Sequence, residues 1–202
     1  MILETERLFL REMNMEDFDA LYRVLADPDI MRHYPYTFDE DRVRRWIERN
    51  MKRYREDGFG LWAVCLKDSG EMIGDCGLTL QSINGKLLPE IGYHIRGDWQ
   101  RKGYAREAAR AVRNWAFRKT DYPALYSYCK HTNIPSFRTA ESVGMRFACE
   151  YPDKAKRNNT CIGDFEGGLV ERTHREYDSL GKRSAWQRRL CRMVPFVHRG
   201  RA

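Results

Sequence analysis

The stretch Glu90–Ala109, EIGYHIRGDWQRKGYAREAA, decides how the chain is read. Glu90 to Ile95 reads as a strand and runs into a short polar turn. The turn opens straight into a helix through Gln100-Arg101-Lys102-Gly103-Tyr104-Ala105. Two basic side chains and a glycine at a helix start leave several backbone N–H groups without intrahelical partners. With the helix dipole they make a ready site for phosphate.

After the turn, Ala105, Ala108, Ala109, Val112, Trp115 and Ala116 recur at the 3.6-residue period, so Gly103–Arg118 is a helix. Leu125–Cys129 reads as a strand, Ser136–Val143 as a short helix capped by Gly144, and Phe147–Tyr151 as a further strand. Asp153–Gly168, with Asn158-Asn159 and several glycines, reads as a loop, and Leu169–Tyr177 as a closing strand. Before the turn, Phe59–Leu66 and Met72–Leu80 are strands joined at Lys67–Glu71. Ile83–Leu88, with Asn84-Gly85, then reverses the chain into Glu90–Ile95. Leu3–Arg11 alternates as a first strand, and Asp17–Ala26 and Asp39–Glu56 have helical spacing, with an Asp27-Pro28-Asp29 turn between them. The order is strand, two helices, three strands, helix, strand, helix, two strands, a mixed α/β single domain.

A chain of 202 residues suits one well-buried core, and 42% hydrophobic with 32% charged residues fits a soluble globular protein. No apolar run approaches the ~20 residues of a membrane span. Met1–Arg11 lacks the apolar core of a secretion signal, so a cytoplasmic location is expected. The cysteines (Cys65, Cys76, Cys129, Cys149, Cys161, Cys191) form no CxxC pair and have no histidines at zinc spacing. They read as structural thiols in a reducing compartment and no metal is expected, a metal site or catalytic thiol being the alternative.

The net charge of +7 resides in one place. Residues 179–202 carry seven basic and no acidic side chains, which leaves 29 basic against 29 acidic in 1–178. The expected division is therefore a neutral domain, 1–178, and a basic extension, 179–202. In the extension Trp186, Leu190, Met193, Val194 and Val197 share a helical face, with Arg188, Arg189 and Arg192 pointing away. It would dock on RNA or an anionic surface, or pack on the body or on a second copy of the chain in a homodimer.

Gln100-x-x-Gly103-x-Ala105 between a strand and a helix resembles the acetyl-CoA signature of GCN5-related N-acetyltransferases (GNAT). Other stretches resemble its ribosomal-protein N-alpha-acetyltransferase (Rim-type) branch: Glu4-Thr5-Glu6-Arg7-Leu8, Asp27-Pro28, Ile73-Gly74-Asp75-Cys76-Gly77, Glu90-Ile91-Gly92-Tyr93, Glu107-Ala108, Asn133-x-x-Ser136 and Gly144-Met145. The resemblance runs from about residue 4 to about residue 177. It implies a mostly antiparallel sheet splayed open where two parallel strands, Glu90–Ile95 and Leu125–Cys129, diverge. By position, backbone N–H groups of Arg101, Lys102, Gly103, Tyr104 and Ala105 would hold the pyrophosphate of acetyl-CoA. Main-chain groups of His94, Ile95 and Arg96, with the Asn133 side chain, would hold the pantetheine arm. Arg101 departs from the small residue or Gly common at its position, and Arg106 from a small hydroxyl.

The implied reaction is direct acetyl transfer to a primary amine, the α-amine of a protein or peptide or a small-molecule amine. Backbone N–H groups at a bulged end of Glu90–Ile95 would polarise the thioester carbonyl. An ammonium must first lose a proton. Glu90, at the start of the splayed strand, is the leading general base, unless it forms a salt bridge or binds the amine. His94 and His33 are further candidates. Many members place a Tyr acid at the helix after the Asn; here the nearby ring is Phe137, which cannot donate, so Ser136 takes the acid role or N-caps the helix. Tyr126 and Tyr128 are further donors. Met31, His33, Tyr34, Tyr36, Trp46 and Trp62 offer aromatic or apolar surface to the acceptor, with Trp46 and Trp62 in core phase. An acetyl-CoA fold without turnover, associated with RNA or the ribosome, is the competing class.

Overall fold

Leu61-Trp62-Ala63-Val64-Cys65-Leu66 is apolar at every position because both of its faces are covered. Leu61, Ala63 and Cys65 enter one core, and Trp62, Val64 and Leu66 enter another. The computed structural model describes residues 1–83, 86–153 and 158–162. In it this strand, β3 (Leu61–Leu66), is the middle of a five-stranded antiparallel sheet. The others are β1 (Leu3–Glu4), β2 (Leu8–Arg11), β4 (Met72–Ile83) and β5 (Lys86–Ile95), in spatial order β1-β2-β3-β4-β5.

Helices α1 (Phe18–Leu25) and α3 (Glu40–Glu56) close one face with Leu21, Leu25, Val43 and Ile47. The short α2 (Pro28–Met31) lies between them, with Asp27 as its N-cap and Pro28 in its first turn. On the other face lie α4 (Tyr104–Lys119) and α5 (Ile134–Ser142). The small residues Ala108, Ala109 and Ala116 bring α4 close to the sheet, and Phe137 and Ala140 anchor α5.

A second, three-stranded sheet holds β6 (Cys129–Lys130), β7 (Cys149–Asp153) and β8 (Asn158–Ile162) in the order β6-β8-β7. Among the described residues the segment leading into it meets the first sheet at one isolated parallel bridge, Glu90 opposite Tyr126. There the Tyr126 N–H donates to the Pro89 carbonyl at 2.9 Å and the Ile91 N–H to the Tyr126 carbonyl at 2.7 Å. Beyond Tyr126 the second strand resumes only at Cys129, paired with β8. The two parallel segments thus meet and part, which is the expected splay.

Several local expectations change. Leu3–Arg11 is a hairpin, not one strand: Thr5 turns the chain, its N–H donating to the Leu8 carbonyl and its hydroxyl oxygen accepting the Leu8 N–H. Leu125–Cys129 is not a continuous strand, because the splay interrupts it. The loop expected over Asp153–Gly168 contains β8, where pairing with strands on both sides overrides the weak strand preference of Asn158-Asn159. Helix α5 begins at Ile134 and its N-cap is Asn133, so Ser136 is not the cap. Gly144 does follow this helix in the left-handed region, φ 95°. The bulge expected at the end of β5 is absent, since its register with β4 runs unbroken from Lys86 to Ile95. The closing strand Leu169–Tyr177 and the extension 179–202 lie outside the described residues.

No helix among the described residues is long and apolar enough to cross a membrane. Cys65 and Cys76 are buried free thiols, and Cys129 is half-buried.

Candidate active site

The turn before α4 has the form that its sequence predicts. Arg101 and Gly103 both adopt left-handed conformations, φ 60° and 88°, and Arg101 is the one non-glycine among the described residues with positive φ. Gly103 is the N-cap of α4 and offers no side-chain cap. Its carbonyl accepts the Glu107 N–H at 3.0 Å, so the N–H groups of Tyr104, Ala105 and Arg106 have no helical acceptor. The result is a concave turn of backbone donors at the positive end of a helix dipole.

This turn is braced from the N-terminal hairpin. Arg7 Nη1 donates to the Lys102 carbonyl at 3.0 Å, and its guanidinium lies 4.2 Å from the Tyr104 ring centroid. Glu107 in turn accepts from Arg7 Nε at 2.8 Å, the Arg7 N–H at 2.9 Å and the Thr5 hydroxyl at 2.6 Å. Burial raises the Glu107 pKa, but these hydrogen bonds outweigh it and hold the carboxyl below its ordinary value. The motif pieces Glu4–Leu8 and Glu107-Ala108 are therefore one brace. Lys102 Nζ rests 4.4 Å from the Trp99 ring centroid, beside the turn.

The splay exposes one edge of β5 beyond the Glu90–Tyr126 bridge. Ile91 faces Tyr126, so by alternation the N–H groups of Tyr93 and Ile95 point the same way. Arg96 does not: its N–H goes to the Ile73 carbonyl and its own carbonyl accepts the Trp99 N–H, both at 2.9 Å. His94 pairs with Asp75 across β4. Of the three residues expected to offer main-chain groups, Ile95 alone presents its N–H to the cleft, and Tyr93 joins it. The Ile95 carbonyl accepts from Gln100 Nε2 at 2.8 Å, which ties Gln100 to the strand end.

The opposite lip is the start of α5. Asn133 Oδ1 accepts the Ser136 N–H at 3.2 Å, leaving its amide nitrogen as the part that can donate to a ligand carbonyl. Tyr93 donates to the Ser136 carbonyl at 2.7 Å, and Ser136 Oγ to the Tyr93 oxygen at 3.3 Å. Burial raises the Tyr93 phenol pKa above its ordinary range. Phe137 is core. Tyr126 is 7% exposed and bridges the two sheets, while Tyr128 packs partly buried beside it.

On the other face of β5 stand Glu90 and His94, as an unbroken register requires. Glu90 is 8% exposed, and its Oε2 accepts from the Thr79 hydroxyl at 3.0 Å. His94 Nδ1 lies 2.7 Å from Asp75 Oδ1, and His94 Nε2 lies 2.7 Å from the Tyr34 hydroxyl. Trp46 Nε1 donates to the second Asp75 oxygen at 2.9 Å. Trp46 thus has a polar task beyond the core phase its spacing shows, while Trp62 is wholly core. His33 Nδ1 lies 3.3 Å from Thr132 Oγ1, so the segment after α2 reaches the loop that leads into Asn133. Tyr34 had been visible only as aromatic surface, and Asp75, Thr79 and Tyr93 not as site residues. The signals for Asp75 in the sequence are its place in the Ile73–Gly77 stretch and a carboxylate inside an apolar strand.

A surface recess of about 510 Å³ opens between the N-terminal hairpin and α4, beside the turn, with Arg7, Gly103, Arg106 and Glu107 in its lining. Among the described residues no group of three or more His, Cys, Asp or Glu side chains is placed to hold a metal ion.

The family model of the acetyltransferase (GNAT) domain matches residues 7–146. The chain belongs to the GNAT acetyltransferase family. It is 33% identical over 147 residues to YkkB of Bacillus subtilis (strain 168), covering 72% of this chain and 86% of that one. To YnaD of the same organism, named an N-acetyltransferase, it is 30% identical over 147 residues, 72% of this chain and 83% of that one. The solved acetyltransferase from Agrobacterium tumefaciens str. C58 superimposes with a TM-score of 0.67 at 27% identity, over 81% of this chain and 94% of that one. A RimL ribosomal L7/L12 α-N-protein acetyltransferase, solved with coenzyme A, shares the fold, with a TM-score of 0.65 at 16% identity over 80% of this chain and 94% of that one.

This GNAT chain is accordingly an acyltransferase of the N-acetyltransferase type, and GNAT acetyltransferases use acetyl-CoA. Its residues fit that cosubstrate: an anion-binding helix start, a strand edge with unpaired N–H groups, and a facing amide at Asn133.

Proposed function

We propose that this chain moves the acetyl group of acetyl-CoA directly to a primary amine, the α-amine of a protein or peptide. The observation that carries the reading is the single Glu90–Tyr126 bridge, with a buried carboxylate at the point where the strands part. The pyrophosphate would meet the N–H groups from Arg101 to Ala105, and the pantetheine arm Tyr93, Ile95 and Asn133. Acetyl-CoA supplies a thioester whose carbonyl carbon accepts the amine.

Glu90 is the proposed general base, reached directly or through one water. Its hydrogen bond from Thr79 supports a carboxylate held in a fixed orientation. Ser136, bonded to Tyr93, is the proposed donor to the departing thiolate. The N–C bond forms as the C–S bond breaks, and sulfur leaves as the thiol. Residues 1–178 form the catalytic domain in this reading, and the basic segment 179–202 is an extension of it.

The test is thiol release from acetyl-CoA across a panel of peptides with free N-termini, polyamines and amino acids. Release with peptides, with the acetyl group located on the α-nitrogen by mass spectrometry, is the expected result. Release with small amines alone would replace the acceptor class. Binding of acetyl-CoA without release by any amine would mark a non-catalytic binding protein.

A further inference from the structure

Asp75, His94 and Tyr34 come from β4, β5 and the segment after α2, and they form one unbroken polar line. The Asp75 carboxylate can only accept, and both its oxygens are taken, by Trp46 Nε1 and His94 Nδ1. A neutral His94 therefore carries its proton on Nδ1, and its Nε2 accepts from the Tyr34 hydroxyl. The Asp75 side chain is 0% exposed and that of His94 9%, and Tyr34, partly exposed as a residue like His94, stands at the end of the line. Through His94 it stands on the face of β5 that carries Glu90, whose charge acts on it, so Tyr34 shares the side of the proposed base.

We infer that Tyr34, His94 and Asp75 are a proton relay for the acceptor amine, with Tyr34 as its outlet. The inference rests on the transferase reading above and adds a second acid–base device beside Glu90. Burial, then the charge of Glu90, raises the Tyr34 phenol pKa well above its ordinary range, so Tyr34 passes protons on and does not stay ionised. The titratable groups around it are Asp75 from β4, Glu90 from β5, Tyr128, Cys129 from β6, and His33 beside it. Trp46, from α3, is neutral.

The step balances. The ammonium gives one proton to the Tyr34 oxygen while the Tyr34 hydroxyl proton passes to His94 Nε2. This leaves a neutral amine, an unchanged Tyr34 and an imidazolium beside Asp75. The amine attacks the thioester carbon, the C–S bond breaks, and the second amine proton leaves on sulfur. The His94 proton returns to solvent through Tyr34.

The experiment compares full-length wild type with Tyr34→Phe, His94→Gln and Asp75→Asn, using whichever amine of the panel gives the fastest thiol release. A relay predicts that kcat falls by roughly 10²–10⁴ while KM for acetyl-CoA holds. It also predicts that the loss shrinks as pH approaches the amine's own pKa, because the amine then arrives neutral. A merely structural triad would give no such rescue. Unchanged kcat, or a loss independent of pH, overturns the relay and leaves the transferase reading standing. A wild-type chain that releases no thiol with any amine overturns both. If His94→Gln or Asp75→Asn fails to fold, Tyr34→Phe removes one oxygen from a ring that stays in place and decides alone.

Discussion

Arg101 holds a backbone conformation that side chains rarely adopt, at φ 60°, in the turn that would meet the pyrophosphate. Holding a residue with a Cβ there costs about 1–2 kcal/mol relative to glycine. In the proposed site the guanidinium would offset that cost by adding charge beside a diphosphate. Arg101→Gly is therefore expected to raise the thermal midpoint by a few degrees while weakening acetyl-CoA severalfold, measured by scanning calorimetry and titration calorimetry on one preparation. A variant with unchanged affinity would remove Arg101 from the cofactor site. Gly103 was legible in the sequence because a turn into a helix needs a left-handed residue there. Asn133 was marked in the sequence only by the family resemblance, and in the structure its side-chain oxygen is used to cap α5. The line from Asp75 to Tyr34 was not legible, because His94 lies 19 residues from one partner and 60 from the other. Local spacing cannot show three elements meeting.

Helix α4 was plain from its 3.6-residue period, and β3 from its unbroken apolar run, since burial writes both patterns directly into composition. Strand β8 was hidden, because its place between two strands comes from backbone pairing and its Asn-Asn start mimics a turn. The role of the N-terminal hairpin was equally hidden: its motif was visible, its attachment to α4 was not. Glu107→Gln keeps the shape of that attachment and removes its charge. The expected loss is about 1–3 kcal/mol of stability, at the lower end because the Arg7 side chain is 41% exposed. Acetyl-CoA affinity should fall with it, since Arg7 would no longer be held against the Lys102 carbonyl. Urea unfolding and a cofactor titration check the two halves. The wild-type Glu107 carboxyl titrates below its ordinary value, so its contribution is present above the unfolded pKa and lost as pH falls through the folded one. Glu107→Gln should lack that acid limb.

The molecule as a whole keeps several acids protonated by burying them. Burial pushes the Cys129 thiol up to about 11, and raises the Cys76 thiol and the Tyr34, Tyr54 and Tyr93 phenols as well. Folding these groups as neutral acids stabilises the native state fully below their unfolded values, about 8.5 for thiols and about 10 for phenols. The contribution is lost as pH rises through the folded values, by about 1.4 kcal/mol per pH unit for each group fully ionised only when unfolded. Urea midpoints should therefore hold to about pH 8.5 and decline steeply above it. A flat midpoint to about pH 11 would contradict the burial of these groups.

The clamp between Arg7 and Glu107 joins residues 100 positions apart. Contacts that close so long a loop form late, after the entropy of closure has been met by other packing. In a chain emerging from its N-terminus, the residues of β1 to β5 are all available before Glu107 is made. The turn proposed to hold the diphosphate is therefore completed only after the residues of the sheet are in place to receive α4.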